Sequence, residues 1–296
     1  MALTKMVPTP VFEEYKELFA EHFFLSRENG ILTVQMHTLG GPVQWSLELH
    51  RAIWQLFRTV GSDPENEVMI FTATGNVWVA AFDDESFARV EADPAKNSYD
   101  YGIFDGRHML MSLINDVEIP TIGVLNGPGA HTELAMMCDL TICSDNTVIM
   151  DPHFSLGMVP GDGIHSALIE LLGIKRAAYA MVMNEQIPAQ KALEYGLVNE
   201  VVPRDRLMDR AMEIAKTIMA KPRVVRRMTG QILRRPWKQR IVDDLDCGFA
   251  MEMYAYMCSG EKHVDSKLDE IAEREGIESL RNRREGMDEA AKGQGA

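Results

Sequence analysis

At 296 residues, 46% hydrophobic and 25% charged, the chain is long enough for one large globular domain with an appendage, or for two domains. Its formal charge of −14 repels phosphate backbones and anionic lipid, which argues against nucleic acid and membrane as partners. No run of about 18 apolar residues occurs and the N-terminus has no apolar signal core, so neither a membrane span nor export is expected, and the cytoplasm is the expected location.

Residues 1–22 read as helical or loosely ordered. FFLSRENGILTVQMHT predicts a β-hairpin, with apolar-rich strands on either side of Asn29-Gly30. After Gly40-Gly41-Pro42, the spacing of Leu47, Leu49, Ile53, Leu56 and Phe57 predicts a helix that stops at Gly61. VMIFTATG is continuously apolar, as a strand buried on both faces would be. A polar stretch from Asp83 to Asp100 leads to a helix near Tyr101–Asn115 and then the strand TIGVLNG. A helix is expected from Glu133, then short strands at LTICSD and TVIMDP. This alternation predicts an α/β fold with mainly parallel pairing. Residues 163–220 read as helices broken at Gly173, Pro188 and Gly196, with one strand in LVNEVVP. Residues 223–258 are helical, basic at first and then apolar in FAMEMYAYM, a run suited to core or subunit interface. Past residue 259 the chain is charged and expected to be partly disordered. The division is therefore 1–222 as core with 1–22 as an N-terminal extension, 223–258 as a helical region, and 259–296 as a tail. Cys138, Cys143, Cys247 and Cys258 lack CxxC spacing and read as reduced structural residues.

The chemistry concentrates between Leu125 and Leu172. Two Gly/Pro turns, NGPGAH and MVPGDGIH, bracket an apolar segment and place ionisable side chains beside flexible backbone. Each candidate there has an ordinary reading. Asp162 precedes IHSALIELL and would serve as a helix N-cap, and His131 sits beside Glu133 at a helix N-terminus. His153 is in a loop, Trp45 is near a helix start and suits a core, and Glu252, between Met251 and Met253, needs a partner unless it faces solvent.

ELAMMCDL after a Gly-rich turn, a PxFxxGxVPGxG segment downstream, and ALEYGLVNEVVP occur in an order that resembles the crotonase (enoyl-CoA hydratase/isomerase) superfamily over roughly residues 25–258. The resemblance implies a repeated ββα spiral core with a C-terminal helical region used in assembly, hence a homotrimer or a dimer of trimers. Within the superfamily the chain is most similar to 6-oxocamphor hydrolase-like cyclic β-diketone hydrolases, through PHFxxGxVPGDGxH and the positions of His131, Trp45 and Glu252. That resemblance implies His153, Asp162, His131, Glu252 and Trp45 as the catalytic set and a small apolar diketone as substrate. It calls for no cofactor and no metal. The CoA-using pattern is broken: His131 follows the turn glycine, His153 stands where a hydratase carries its second glutamate, and Ala81-Phe82 replace a small Gly-Ala pair. Only Glu133 remains of the hydratase carboxylates, so CoA is not expected as a ligand.

Retro-Claisen cleavage between two carbonyls needs a nucleophilic water, a donor to the attacked oxygen and stabilisation of the departing enolate. His153 is expected to activate water, with Asp162 folded back to fix its tautomer. His131 and the Trp45 indole are expected to donate to carbonyl oxygens, and Glu252 to orient the water or a histidine. Two other readings stay open: a CoA-thioester hydratase, isomerase or hydrolase built on Glu133, and a catalytically silent trimeric scaffold. His165, His108 and His50 are read as structural.

Overall fold

The computed structural model describes residues 7–259, 264–276 and 278. After helix α1 (Phe12–Leu18), strands β1 (Phe23–Glu28) and β2 (Ile31–Met36) form the expected hairpin, with Glu28 opposite Ile31. Asn29 and Gly30 both adopt positive φ, 50° and 82°, which a two-residue turn needs to match strand twist.

Four times thereafter a strand is followed by a second extended segment and then a helix. The first unit is β2, β3 (Val43–Trp45) and α2 (Leu47–Ser62); the second is β4 (Val68–Ala73), β5 (Val79–Phe82) and α3 (Asp84–Ala92). After the second unit come α4 (Pro94–Asn97), a wide π-helical turn at Ser98–Gly106, α5 (Arg107–Met111) and a π turn at Ser112–Asp116. The stretch Asp83–Asp100 is thus mostly helical. Its polar residues face solvent or cap, as Asp83 does for the Ser86 N–H, and so conceal the helical pattern. The third unit is β6 (Thr121–Leu125), an extended Gly129 and α6 (Glu133–Met136). The fourth is β7 (Leu140–Ser144), β8 (Val148–Ile149, shorter than TVIMDP) and α7 (Ile164–Leu172).

The first strand of each unit enters one sheet, ordered β1-β2-β4-β6-β7-β10 and parallel from β2 onward, in which β10 is Glu200–Val202. Alternate residues divide its faces. Ile31, Val68, Ile70, Ile122, Val124 and Ile142 pack against a helix at residues 207–219, while Leu32, Val34, Met69 and Phe71 join α2 in the main core. The second segments pair separately: β3 with β5, Gly129 with Ile149, and β8 with β9 (Ile187–Pro188). Each corner from second segment to helix therefore opens on one side of the molecule, and these corners carry Trp45, Phe82, His131 and the loop 151–163.

Helices α8 (Ile174–Val182), α9 (Ala189–Tyr195) and α10 (Leu207–Met219) complete the core, and α11 (Arg223–Leu233), α12 (Arg235–Arg240) and α13 (Asp246–Ser259) fold back over it. Arg234 anchors this return. It is 1% exposed, pairs with Asp139 and donates to the Ile119 carbonyl at 2.6 Å, so its buried charge is fully engaged. α13 reaches the site loop because neither chain carries a side chain where they meet: a Cβ on Gly161 would lie 2.1 Å from the Gly248 oxygen. Of the charged tail, Val264–Glu275 forms helix α14, with Leu268, Ile271 and Ala272 buried against Met150 and Leu156. Among the described residues, no helix is long and apolar enough to cross a membrane.

Candidate active site

The corners and α13 enclose a mostly apolar cavity whose polar lining includes His50, Tyr101, His131, Asp151, His153, Asp162 and Glu252. Apolar walls around a few convergent polar groups are the usual make-up of a small-molecule site.

His131 leaves the third corner with a φ of 54°, a left-handed conformation that is strained for a side chain of this size. The turn is held from two sides. The Trp78 indole donates to the His131 carbonyl at 2.9 Å, and Gly129 packs where a Cβ would meet the Val79 nitrogen at 2.4 Å. The His131 ring is hydrogen-bonded through Nδ1 to Glu133 Oε1 at 3.1 Å and lies 3.1 Å from Asp162 Oδ2. Burial alone would pull this imidazole down, but Glu133 and Asp162 outweigh it and raise its pKa to about 9, so it enters neutral solution as a cationic donor.

His153 is placed by the fourth corner. Its Nδ1 bonds Asp151 Oδ1 at 2.6 Å, and Nε2 faces Asp162 Oδ2 and Glu252 Oε1, each 3.7 Å away. The loop FSLGMVPG does fold back, but the direct His153–Asp162 hydrogen bond expected from the sequence is not made. Asp151, two residues before His153 across Pro152, takes the tautomer-fixing role because a short reach needs no loop closure. Asp162 instead lies between the two histidines while its Oδ1 also accepts the Ile164 N–H at 3.2 Å, so it caps α7 and serves the site together.

The carboxylates separate electrostatically. Burial would raise Asp162, yet His153 and His131 outweigh it and hold Asp162 well below the ordinary carboxylate range. Glu252, 5% exposed on α13, is pushed up to about 8 by burial and by the Asp162 charge. Glu133 is raised for the same two reasons. His153 is held above its ordinary value because Asp162 and Asp151 overcome the burial penalty. An ionised and a protonated carboxyl thus stand before one imidazole, a division suited to base and acid roles.

Trp45 has the core position that its sequence context suits, and its N–H does not reach the cavity as a carbonyl donor. It is fully buried, its ring stacks on His131 at 3.8 Å and 16°, and its indole N–H donates to the Tyr101 hydroxyl at 3.2 Å instead of opening into the cavity. Its place at the end of β3, pointing inward, makes it a support for groups that do line the cavity. Polar lining residues that the sequence did not single out include Asp151, Tyr101, Tyr256 and His50. His50 is buried with Nδ1 unpaired and is pulled down to about 3 by burial and by His131, so it is a neutral imidazole. His165 and His108 stay outside the lining, the latter bonded to the Phe104 carbonyl at 2.6 Å. Two overlapping sets, His131–Glu133–Asp162 and His153–Asp162–Glu252, also have the spacing and donor types that a divalent cation accepts.

Comparison with known proteins connects this geometry to others. The Enoyl-CoA hydratase/isomerase family profile matches residues 26–267. Hydroxycinnamoyl-CoA hydratase-lyase of Pseudomonas fluorescens is 28% identical over 220 residues, 72% of this chain and 79% of that one. A β-diketone hydrolase from the cyanobacterium Anabaena, solved bound to (S)-3-oxocyclohexyl acetic acid, is 33% identical with a TM-score of 0.79, over 84% of this chain and 98% of that one. An enoyl-CoA hydratase/isomerase from Mycobacterium paratuberculosis shares the fold at 21% identity and a TM-score of 0.74, over 83% and 96% of the two chains.

Proposed function

Because the chain belongs to the enoyl-CoA hydratase/isomerase family, the crotonase superfamily, and its cavity carries His153 where a hydratase would need its second glutamate, we propose that it is a β-diketone hydrolase, cleaving a C–C bond of an apolar cyclic 1,3-diketone with water. The observation that carries this reading is His153, bonded to Asp151 on one nitrogen and facing Asp162 and Glu252 at 3.7 Å with the other. That separation is too long for direct bonds, and the three groups, with ligand atoms within 4.8 Å of one another, converge on a point where a water can be held.

In its neutral form His153 takes a proton from this water as the oxygen attacks one carbonyl carbon, and Asp151 and Asp162 stabilise the imidazolium that results. The tetrahedral oxyanion collapses to a carboxylic acid. The C–C bond breaks with its electron pair moving onto the second carbonyl as an enolate, which the His131 cation meets. Glu252, protonated below about pH 8, delivers a proton to the enolate carbon and regains one from His153, closing the balance. The ligand of the Anabaena protein has the pattern such a step produces, a ring ketone and a tethered acid. Rejoining its acid carbon to a ring carbon beside the ketone gives a bicyclic 1,3-diketone.

The CoA-thioester reading is disfavoured by the walls. Phe82 lines the cavity, and α14 packs its buried face on the same side, against Met150 and Leu156. The test is a spectrophotometric screen of cyclic β-diketones on chelator-treated enzyme, following loss of enol or dione absorbance, beside calorimetry with crotonyl-CoA. Turnover of a diketone with no saturable heat from the thioester is expected. Hydration of crotonyl-CoA with every diketone inert would overturn the proposal, and inertness to both would favour a scaffold.

A further inference from the structure

One indole ring holds two of the cavity's groups at once. The face of Trp45 stacks on His131 at 3.8 Å, and its edge donates from Nε1 to the Tyr101 hydroxyl at 3.2 Å. An indole N–H is a donor with no acceptor capacity, so the phenol cannot return its hydrogen to this partner and must direct it elsewhere. The Tyr101 ring has little freedom to do otherwise. Phe87 meets it edge-on at 5.4 Å and His50 lies tilted against it at 4.3 Å, leaving rotation about the C–O bond as the main adjustable torsion. Tyr101 lines the cavity, and among the described residues no acceptor is bonded to its hydrogen.

We propose that the Tyr101 hydroxyl is a catalytic donor to a carbonyl oxygen of the substrate, polarised and aimed by the Trp45 indole, and that it forms with His131 a two-point clamp for the two oxygens of a 1,3-diketone. The inference rests on the diketone reading and deepens it. Burial, helped by the Asp162 charge and by Glu252 once ionised, outweighs the Trp45 hydrogen bond and raises the phenol well above its ordinary pKa, so it remains a donor throughout the working range. Because one rigid ring fixes both donors, their separation is set before substrate arrives, as the separation of the carbonyl oxygens in a cyclic diketone is set by its ring. Trp45 then acts through Tyr101 and His131 and is a positioning residue.

The experiment compares Tyr101→Phe, Trp45→Phe and the double variant on the best diketone from the screen, with (S)-3-oxocyclohexyl acetic acid as a binding probe by calorimetry and thermal melts as a folding control. Tyr101→Phe should lower kcat by about 10²-fold, the scale for one oxyanion-type donor, and weaken the keto acid. Trp45→Phe should lower kcat less, and the double variant should match Tyr101→Phe, since the phenyl ring keeps the stack on His131 and the lost indole N–H has nothing left to aim. A Tyr101→Phe enzyme with wild-type kcat and an unchanged melt would overturn the inference while leaving the hydrolase standing, as would single losses that multiply in the double variant. A wild-type protein inert to diketones and blind to the keto acid would overturn both.

Discussion

His153 draws on two carboxylates in different ways: Asp151 holds its Nδ1 at 2.6 Å and fixes the tautomer, whereas Asp162 faces Nε2 from 3.7 Å and supplies charge. Both raise its pKa against burial, so the neutral, base-competent ring is reached only above the ordinary imidazole range. Activity should therefore fall as pH drops through an apparent pKa above 6.5. Asp151→Asn removes one of the raising charges and frees the tautomer. The acid limb of kcat/KM should shift to lower pH while the plateau drops by about 10²-fold or more, measured as a pH–rate profile on a cyclic diketone. An unshifted limb would mean that Asp162 alone sets the titration. His131, His153, Asp162 and Glu252 drew notice in the sequence beside Gly/Pro turns or within an apolar run, but only the resemblance to cyclic β-diketone hydrolases set them apart as candidates from ordinary caps and core residues. Asp151 drew none, since which of two nearby acids reaches a histidine depends on loop curvature. His50 was hidden on the buried face of α2 between Leu49 and Ile53, where it reads as core.

At the scale of elements, the site depends on α13 being seated against the loop 151–163. Gly161 and Gly248 make that contact backbone to backbone, and Glu252 follows Gly248 by one helical turn, so the same approach that closes the loop sets the acid over the cavity. Gly161→Ala would put a Cβ 2.1 Å from the Gly248 oxygen and 2.9 Å from the Glu252 Cβ, against backbone that cannot rotate away. The expected outcome is a loss of about 1–3 kcal/mol in a thermal or denaturant melt, with a drop in kcat larger than any change in KM, because Asp162 and Glu252 move together. An unchanged melt and rate would show that the loop yields without moving the helix. The hairpin, the buried parallel strands and the helices between residues 163 and 220 were legible because turn chemistry and apolar periodicity agree there. The helices in Asp83–Asp100 were not, because their exposed faces are polar and short. Tyr101 was out of reach for a related reason: it stands in a π-helical turn at Ser98–Gly106, whose wider spacing departs from the 3.6-residue rule.

At the scale of the whole molecule, α8 and the C-terminal helices expose many large apolar side chains. Val224, Val225, Met228, Ile232 and Leu233 are exposed on α11, Met251, Tyr254 and Met257 on α13, and Ile174, Tyr179, Val182 and Met183 on α8. Single exposed apolar residues are ordinary, but this many on three helices are the pattern expected of a surface that binds another chain. Homo-oligomers usually close with point-group symmetry, and three or six copies of the 33.3 kDa chain are the outcome to expect from light scattering or sedimentation velocity. Ile232→Asp, at a position 68% exposed in the single chain, should be tolerated by the fold yet place a charge in every copy of the interface and shift the mass toward one chain. Activity should fall with the assembly, because α13 carries Glu252 into the cavity on one face and Tyr254 outward on another, so whatever steadies the outer face steadies the acid. A wild-type protein that sediments as one chain at working concentration, or an Ile232→Asp variant that keeps both its mass and its rate, would remove assembly from the account and leave these residues as bare surface.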